Sequence, residues 1–357
     1  MSRRLTPAAA LGFAAILPLL VGQGGALGDM VLAAAYVIMA LGLNVVVGFA
    51  GLLDLGYVAF FAIGAHVAAH FGSAFWANAG GGTGIALLVG QPAASLPGIH
   101  LNFLIILVLA VIATTAAGVL IGVPTLRLRG DYIGVVTLAF GEIIGQIASN
   151  GRQIRFLGGS LTGGPNGMSA IDRIDLPFIG RFSALDLRPW YWFALALVAL
   201  MLVVNVRLRD SRLGRAWIAL RDDEDAAACA GVPIVRTKLL AYGVGAALGG
   251  VSGAFLASYL STVDPGQFTF SFSIFILAMV VLGGLGSIWG VVAGAIVLSA
   301  INDWLLPDVL YGVPAKVGLD FDLSQVSSGV YGFLLVVLML LRPQGLLPAR
   351  GLFTARR

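Results

Sequence analysis

Long apolar runs alternate with short polar segments from one end of the chain to the other. A helix that crosses a bilayer needs about 20 mainly apolar residues, and ten runs have roughly this length. They cover residues 5–27, 29–49, 54–72, 100–124, 131–150, 188–206, 238–261, 268–286, 288–306 and 328–342. The pattern predicts an all-α polytopic membrane protein with about ten transmembrane helices, organised as one transmembrane domain over residues 1–357.

The third predicted span has an irregular start. Gly48, Gly51 and Gly56, together with Asp54, interrupt the apolar run just before it. Non-helical backbone at membrane depth is tolerated only where it is buried in protein or lines a water-filled cavity. We therefore expect a broken or re-entrant helix here, surrounded by protein rather than by lipid.

Composition supports a membrane location and excludes a soluble domain. The chain is 59% hydrophobic and 11% charged, with a mean hydropathy of +0.98, whereas soluble domains contain roughly 25% charged residues. The net charge of +4 does not indicate nucleic acid binding, because the basic residues lie between apolar spans rather than along one basic helix. The single cysteine, Cys229, excludes an intramolecular disulfide and a cysteine-rich metal site.

The distribution of basic residues predicts the orientation of the spans. Fifteen of the 21 lysines and arginines lie in the termini, in the 127–130 loop and in the 207–238 segment, and the opposite loops contain six. By the positive-inside rule, both termini are expected in the cytoplasm, and the loop 151–187 on the outer side. Five spans lie on each side of that loop, which predicts two halves with inverted topology, a common arrangement in transporters.

The first run resembles a signal peptide. It has a basic start, with Arg3 and Arg4 adjacent, followed by an apolar core. Such signals usually precede an exported soluble domain, but here further apolar spans follow at once. We therefore expect residues 5–27 to be retained as the first span.

A dense cluster of charge occupies residues 207–225, where ten of nineteen residues are charged. Leu213, Trp217 and Leu220 recur at helical spacing and predict a short amphipathic helix. The acidic run 222–225 suits the N-terminus of a second helix. A solvated loop that fixes topology, or a helix lying on the lipid surface, would explain the basic residues alone. A docking surface for another protein explains both signs of charge.

Three polar residues share one face of the fifth predicted span: Glu142, Gln146 and Ser149. Glu142 lies about 16 Å along the helix from Asp131, near the middle of the bilayer, where a charge costs roughly 2.5–3.5 kcal/mol. It must face protein or water. The stripe either lines a substrate path or contains a structural carboxyl bonded to a neighbouring helix. The candidate path residues are Asn44, Asp54, Thr137, Glu142, Gln146 and Ser149.

Glycines at four-residue spacing occur in two segments. Small residues at this spacing let helix backbones approach closely, so we predict helix packing at these positions. They are Gly245, Gly249 and Gly253 in the first segment and Gly286, Gly290 and Gly294 in the second.

The sequence lacks the motifs of several kinds of functional site. His66 and His70 have the i, i+4 spacing of a metal pair, but the glutamate of the HExxH motif is missing, so no metal is predicted. Neither lysine, Lys238 or Lys316, lies in a GxxxxGK[ST] phosphate loop. No catalytic constellation or cofactor motif is found, and an enzyme that hydrolyses ATP by this device is excluded.

Five blocks carry a resemblance to a known family. They are GFAGLLDLGYVAFFAIGAH, LRLRGDYIGVVTLAFGEI, LTGGPNGM, SRLGRAWIALRDDEDAAACAGV and VLGGLGSIWGVVAGA. Together these blocks resemble the M-type permease subunit of bacterial branched-chain amino acid ABC importers. The resemblance extends from about residue 36 to residue 345, and the middle three blocks are the most specific.

The resemblance implies a permease in the bacterial inner membrane that imports leucine, isoleucine or valine. The implied partners are an H-type permease as heterodimer, two cytoplasmic ATP-binding subunits and a periplasmic substrate-binding protein, with no nucleic acid. The charged segment then lies in a cytoplasmic region, about residues 207–237, that couples to the ATPases, and the loop at about 151–187 is periplasmic. The coupling residues are Arg212, Leu213, Gly214, Arg215, Trp217, Leu220, Arg221, Asp222, Asp223 and Glu224.

Two alternatives remain at this point. Relatives of the family carry urea, amides or other amino acids, and selectivity lies largely in the binding protein. An ion-coupled secondary transporter would instead use Glu142 and Asp54 as proton or cation sites. An intramembrane enzyme is disfavoured by the absent catalytic constellation.

Overall fold

The computed structural model describes residues 12–19, 22, 24–77, 84–90, 96–126, 128, 130, 132–156, 159–176 and 180–309. It also describes short pieces at 329, 332–333, 336–337 and 345–347. These residues are mostly helical, with few and very short strands. Six helices among them are long and apolar enough to cross a membrane. The predicted helical membrane fold is confirmed in this coarse form.

The helices follow the predicted spans closely. Each predicted span from 29–49 to 288–306 contains a long or medium helix. The first predicted span, 5–27, is described in part and contains a helix at 12–19, whereas the last, 328–342, lies largely outside the described residues. The helices are α1 (12–19), α2 (Gly25–Leu43), α3 (Val58–Phe71), α4 (Phe103–Thr125), α5 (Tyr132–Asn150), α6 (Arg188–Asp210), α7 (Arg212–Asp222), α8 (Glu224–Cys229), α9 (Ile234–Leu260), α10 (Phe270–Gly283) and α11 (Ile288–Ala300).

Two of these helices continue into π-helical turns, α2 through Asn44–Phe49 and α11 through Ile301–Val309. With these extensions, the six candidate spans are Gly25–Phe49, Phe103–Thr125, Tyr132–Gln153, Arg188–Asp210, Ile234–Leu260 and Ile288–Leu305. The helices α3 and α10 are apolar but shorter. At 1.5 Å per residue, α3 is about 21 Å long, less than the roughly 30 Å hydrocarbon core. The break predicted before the third span lies in residues 50–57, between the π-helix and α3.

The described chain divides into two compact units. The first unit contains Met1–Leu41, Ser183–Arg207 and Ala278–Arg357, and the second contains Gly42–Phe182 and Leu208–Leu277. In the second unit, α9 is the most buried long helix, and it packs against α3 and α4. The core of this unit therefore lies around α9.

Glycines bring α9 against its neighbours. A Cβ atom on Gly245 would lie 2.3 Å from the Val46 side chain, and one on Gly253 would lie 2.1 Å from the Phe61 carbonyl oxygen. Gly249 faces Tyr57, with 3.1 Å from such a Cβ to the hydroxyl oxygen. These three glycines thus occupy the close helix contacts expected of small residues.

In the first unit, two glycines of α11 lie against α10. A Cβ on Gly294 would lie 2.3 Å from the Met279 carbonyl oxygen, and one on Gly290 would lie 2.3 Å from that of Gly283. Gly286 differs from the prediction, since it lies in the turn between α10 and α11 with a φ of +79°. Its role there is conformational, because glycine adopts positive φ without a steric cost.

The strands lie in segments that the basic-residue pattern places on the outer side. β1 (Gly72–Ser73) pairs antiparallel with β3 (Ile99–Leu101), and β2 (Ile85–Leu87) pairs parallel with β3. The remaining pairs are antiparallel: β4 (Arg155–Phe156) with β5 (Gly159–Ser160), β6 (Met168–Ser169) with β9 (Thr262–Val263), and β7 (Asp175–Leu176) with β8 (Gly180–Arg181). The prediction of an all-α protein is therefore corrected, because the described residues also form these short strands.

Candidate functional site

The charged segment folds as two short helices, α7 and α8, as its pattern predicts. Ser211 caps α7, its hydroxyl accepting a hydrogen bond from the Gly214 N–H at 3.1 Å. A side chain at Gly214 would lie 2.2 Å from the Leu208 carbonyl oxygen, so glycine permits the sharp turn from α6 into α7. Asp223 caps α8 by accepting from the Ala226 N–H at 2.9 Å. Capping side chains satisfy backbone donors that a helix leaves free.

The apolar face of α7 packs against the protein's own chain. Trp217 is fully buried, and its indole Nε1–H donates to the Thr237 carbonyl oxygen in the first turn of α9, at 2.9 Å. Leu220 is also buried, and Leu213 is partly exposed. Trp217 therefore anchors α7 to α9 within this chain, because burying an aromatic ring of this size stabilises the contact strongly.

The outward face of the two helices is charged with both signs. Arg212 and Arg215 are exposed on α7, and Asp222 and Asp223 are exposed where α7 meets α8. The helical spacing that buries Trp217 directs these side chains away from the core. A partner that approaches this segment would therefore meet charge first.

A partly buried ion pair joins α8 to α9. The Lys238 Nζ donates to Glu224 Oε1 at 2.7 Å, with the lysine side chain 2% and the glutamate side chain 32% exposed. A lysine is almost never fully buried unless it is paired. Sequence reasoning did not identify Lys238 or Thr237 as part of this site, since a spacing of 14 residues carries no local signal.

Arg221 points inward from the last turn of α7. Its Nη1 donates to the Gly48 carbonyl oxygen at 2.7 Å, and its Nη2 lies 3.7 Å from Asp222 Oδ1. Gly48 belongs to the buried π-helix that follows α2. The charged segment is therefore connected directly to the irregular backbone before α3.

That irregular backbone brings two of the predicted path residues together. Asp54 is 2% exposed, and its Oδ1 accepts from the Gly56 N–H at 3.0 Å. The Thr137 hydroxyl on α5 accepts from the Leu55 N–H at 3.0 Å. Asn44 is buried as well, within the π-helix. The proximity of Asp54 and Thr137 was not predicted, because the contact joins residues far apart in the chain.

The other path candidates lie on a different surface. Glu142 and Gln146 are exposed on α5, and Gln146 Oε1 accepts from Asn150 Nδ2 at 3.1 Å. Ser149 donates to the Gly145 carbonyl oxygen within the same helix, at 3.0 Å. The six candidates therefore do not form one group: Asp54 and Thr137 lie close together, Asn44 is buried in the π-helix, and the other three lie along α5.

The histidine pair bonds to backbone carbonyl groups. His66 Nδ1 lies 2.8 Å from the Ala62 oxygen, and His70 Nδ1 lies 2.6 Å from the His66 oxygen. His70 Nε2 lies 2.9 Å from the Leu161 oxygen. Within the part of the chain that the structure describes, no group of three or more His, Cys, Asp or Glu side chains could hold a metal ion.

Comparison with known proteins supplies the family. Residues 26–340 match the family described as "Branched-chain amino acid transport system / permease component". The chain belongs to this family. The match includes the six candidate spans and both short charged helices.

Individual relatives agree with the family match. The high-affinity branched-chain amino acid transport system permease protein LivM of Escherichia coli K12 is 38% identical over 337 residues, which are 88% of this chain and 68% of the relative. A probable LivM permease of Methanocaldococcus jannaschii is 27% identical over 70% of each chain. The E. coli permease protein LivH is 27% identical over 41% of this chain and 43% of its own length. No solved structure matches.

Proposed function

We propose that the protein is the M-type permease subunit of an ABC importer that moves leucine, isoleucine and valine from the periplasm to the cytoplasm. Family membership and the 38% identity to LivM support the substrate class. The chain lacks a phosphate loop of the GxxxxGK[ST] type, so partner subunits supply ATP hydrolysis. In this proposal the chain has ten spans in the inner membrane, arranged as two inverted halves of one domain, with cytoplasmic termini.

The two charged helices carry the coupling part of the proposal. Short helices that end in exposed charges of both signs, and that are held to α9 by Trp217 and Lys238, form a firm platform. An ATPase subunit would contact Arg212, Arg215 and the acids at 222–223. Complementary charge across an interface raises the rate and the specificity of association. The inner residues of the segment hold this platform in place.

The exposed polar face of α5 is an argument for a second permease subunit. A mid-membrane carboxylate such as Glu142 costs roughly 2.5–3.5 kcal/mol in lipid, and its side chain is exposed among the residues that the structure describes. An H-type permease packed on α5 would remove that cost by facing Glu142 and Gln146 with protein or water. The translocation path then runs along this face, with selectivity set largely by a periplasmic substrate-binding protein.

The coupling surface is tested by charge reversal. The paired change Arg212→Glu and Arg215→Glu should lower the affinity for the ATP-binding subunits by about tenfold or more, as expected for charges in an interface. The matched control reverses Arg152 and Arg155, which are exposed in the predicted periplasmic loop. Co-purification of the four-subunit complex measures the effect. Equal retention of ATPases by both pairs of variants would contradict the coupling assignment.

Uptake tests the mode of transport and the substrate. Proteoliposomes that contain the permease pair, the ATPases and the binding protein should accumulate leucine with ATP as the only energy source. A requirement for a proton gradient even when ATP is supplied would refute the ABC mechanism and favour the ion-coupled alternative. Accumulation of urea or amides in preference to leucine would keep the mechanism and overturn the substrate class.

A further inference from the structure

Arg221 makes a different contact from the other charged residues of α7. Its side chain is 36% exposed, yet its Nη1 donates to the buried Gly48 carbonyl oxygen at 2.7 Å. Carbonyl groups in the last turn of a helix lack donors within the helix, and Gly48 is in the final residues of the π-helix Asn44–Phe49. Arg221 therefore supplies a charge-assisted hydrogen bond at the point where the helix ends.

Gly51 lets the arginine approach this closely. It has a φ of +70°, and a Cβ atom there would lie 2.4 Å from Arg221 Cγ and 3.0 Å from Arg221 Cβ. Any other residue would be strained at this φ and would also push the arginine stem away. Gly51 and Arg221 therefore form a close contact between α7 and the broken segment, residues 50–57.

The broken segment continues from this contact to α5. The Leu55 N–H donates to the Thr137 hydroxyl, and a Cβ on Gly56 would lie 1.8 Å from the Thr137 carbonyl oxygen. A Cβ on Gly141 would lie 2.9 Å from the Gly56 Cα. Backbone therefore packs on backbone at Gly141, the residue directly before Glu142.

The two partners of α7, which are α9 and residues 48–56, differ in the regularity of their backbone. Trp217 is bonded to α9, an uninterrupted helix of 27 residues with a buried core. Gly48 and Phe49 end the π-helix, and residues 50–57 form no α-helix before α3. We expect a displacement of α7 to shift this segment more readily than α9, because α9 is held by a continuous set of helical hydrogen bonds.

We infer that Arg221 is a positioning residue that transmits movement of α7 through residues 48–56 to the polar face of α5. This inference rests on the proposed function, because it assumes that ATPase subunits move α7. Arg221 need not touch an ATPase: its guanidinium holds the Gly48 carbonyl, and residues 54–56 carry the displacement to Thr137 and Gly141. In this way Arg221 couples the charged helices α7 and α8 to the candidate path residues on α5.

The test separates coupling from stability. In proteoliposomes with the complete importer, Arg221→Ala should lower the leucine imported per ATP hydrolysed by about tenfold or more, the scale of one charge-assisted hydrogen bond. Arg221→Lys, which keeps a charge and a donor, should restore part of that ratio. Arg155→Ala is the control, since Arg155 is an exposed arginine outside the charged cluster; the ratio should stay within about twofold of wild type.

A double-mutant cycle checks the contact itself. Gly51→Ala should lower the same ratio, and the double variant with Arg221→Ala should be no worse than the more damaging single change, because both act on one contact. Additive losses would overturn the inference, as would transport and hydrolysis that fall together in proportion to lost complex. If the importer with Arg221→Ala does not assemble, the double variant with Arg221→Lys and Gly51→Ala takes its place. A wild-type ratio of leucine imported to ATP hydrolysed in that double variant would also overturn the inference. Absence of ATP-driven uptake in the wild type would instead refute the proposed function.

Discussion

Replacing Trp217 should release α7 from the body of the protein. The side chain is fully buried and also donates to the Thr237 carbonyl oxygen. Truncation of a buried tryptophan to alanine costs about 3–5 kcal/mol, and loss of the hydrogen bond adds about 1 kcal/mol. Even about 4 kcal/mol raises the fraction of molecules with α7 detached by about a thousandfold, since 1.4 kcal/mol corresponds to a factor of ten.

Limited proteolysis measures this detachment. Trypsin cleaves after Arg215, which is in the middle of α7, and it requires the helix to open. Cleavage should therefore be much faster for Trp217→Ala than for wild type, and only about fivefold faster for Trp217→Phe, which loses mainly the hydrogen bond. Association with the ATPase subunits should weaken in the same order, although Trp217 does not face them.

The control for this experiment is Trp289→Ala. Trp289 lies on α11 and is 39% exposed, so its truncation should leave cleavage at Arg215 unchanged. If Trp217→Ala accelerates cleavage by less than about tenfold, other contacts hold α7, and the description of Trp217 as its anchor is wrong.

Two further predictions concern charged groups. Glu142→Gln should preserve most ATP-driven leucine uptake in proteoliposomes, because the amide is isosteric and still forms hydrogen bonds; loss of accumulation with exchange retained would indicate that the carboxylate titrates during transport. For the ion pair, Glu224→Gln should lower stability by about 2–4 kcal/mol, since it leaves the buried Lys238 unpaired, whereas Lys238→Met should cost about 1 kcal/mol or less because Glu224 reaches water. Thermal unfolding in detergent distinguishes the two, and equal losses would contradict this asymmetry.

The sequence predicts the long helices well because their lengths follow from the thickness of a membrane. A span must be apolar over about 20 residues whatever its neighbours are, and α4, α6 and α9 lie where the pattern places them. The break before α3 was also predicted, since glycines and an aspartate mark it in the sequence. These are local properties that need no knowledge of packing.

The candidate site was predicted less completely. Amphipathic spacing showed that α7 has an apolar face, but it could not show whether another protein or the same chain covers it. Burial of Trp217 against Thr237 answers this for α7. The contacts of Arg221 with Gly48 and of Leu55 with Thr137 join residues 173 and 82 positions apart, and a single sequence carries no signal for such pairs.

The pairing of β6 with β9 sets an order for biogenesis. Met168 pairs with Val263, and the Thr262 hydroxyl donates to the Met168 carbonyl oxygen across 94 positions of the chain. In the proposed topology both strands lie on the periplasmic side, so β9 would reach its partner only after α9 has been inserted by the translocation machinery. At about 5–20 residues per second, a ribosome takes roughly 5–20 s to make that stretch. In that topology the loop 151–187 would lack its closing strand during this interval, and it would be accessible to chaperones and proteases of the periplasm.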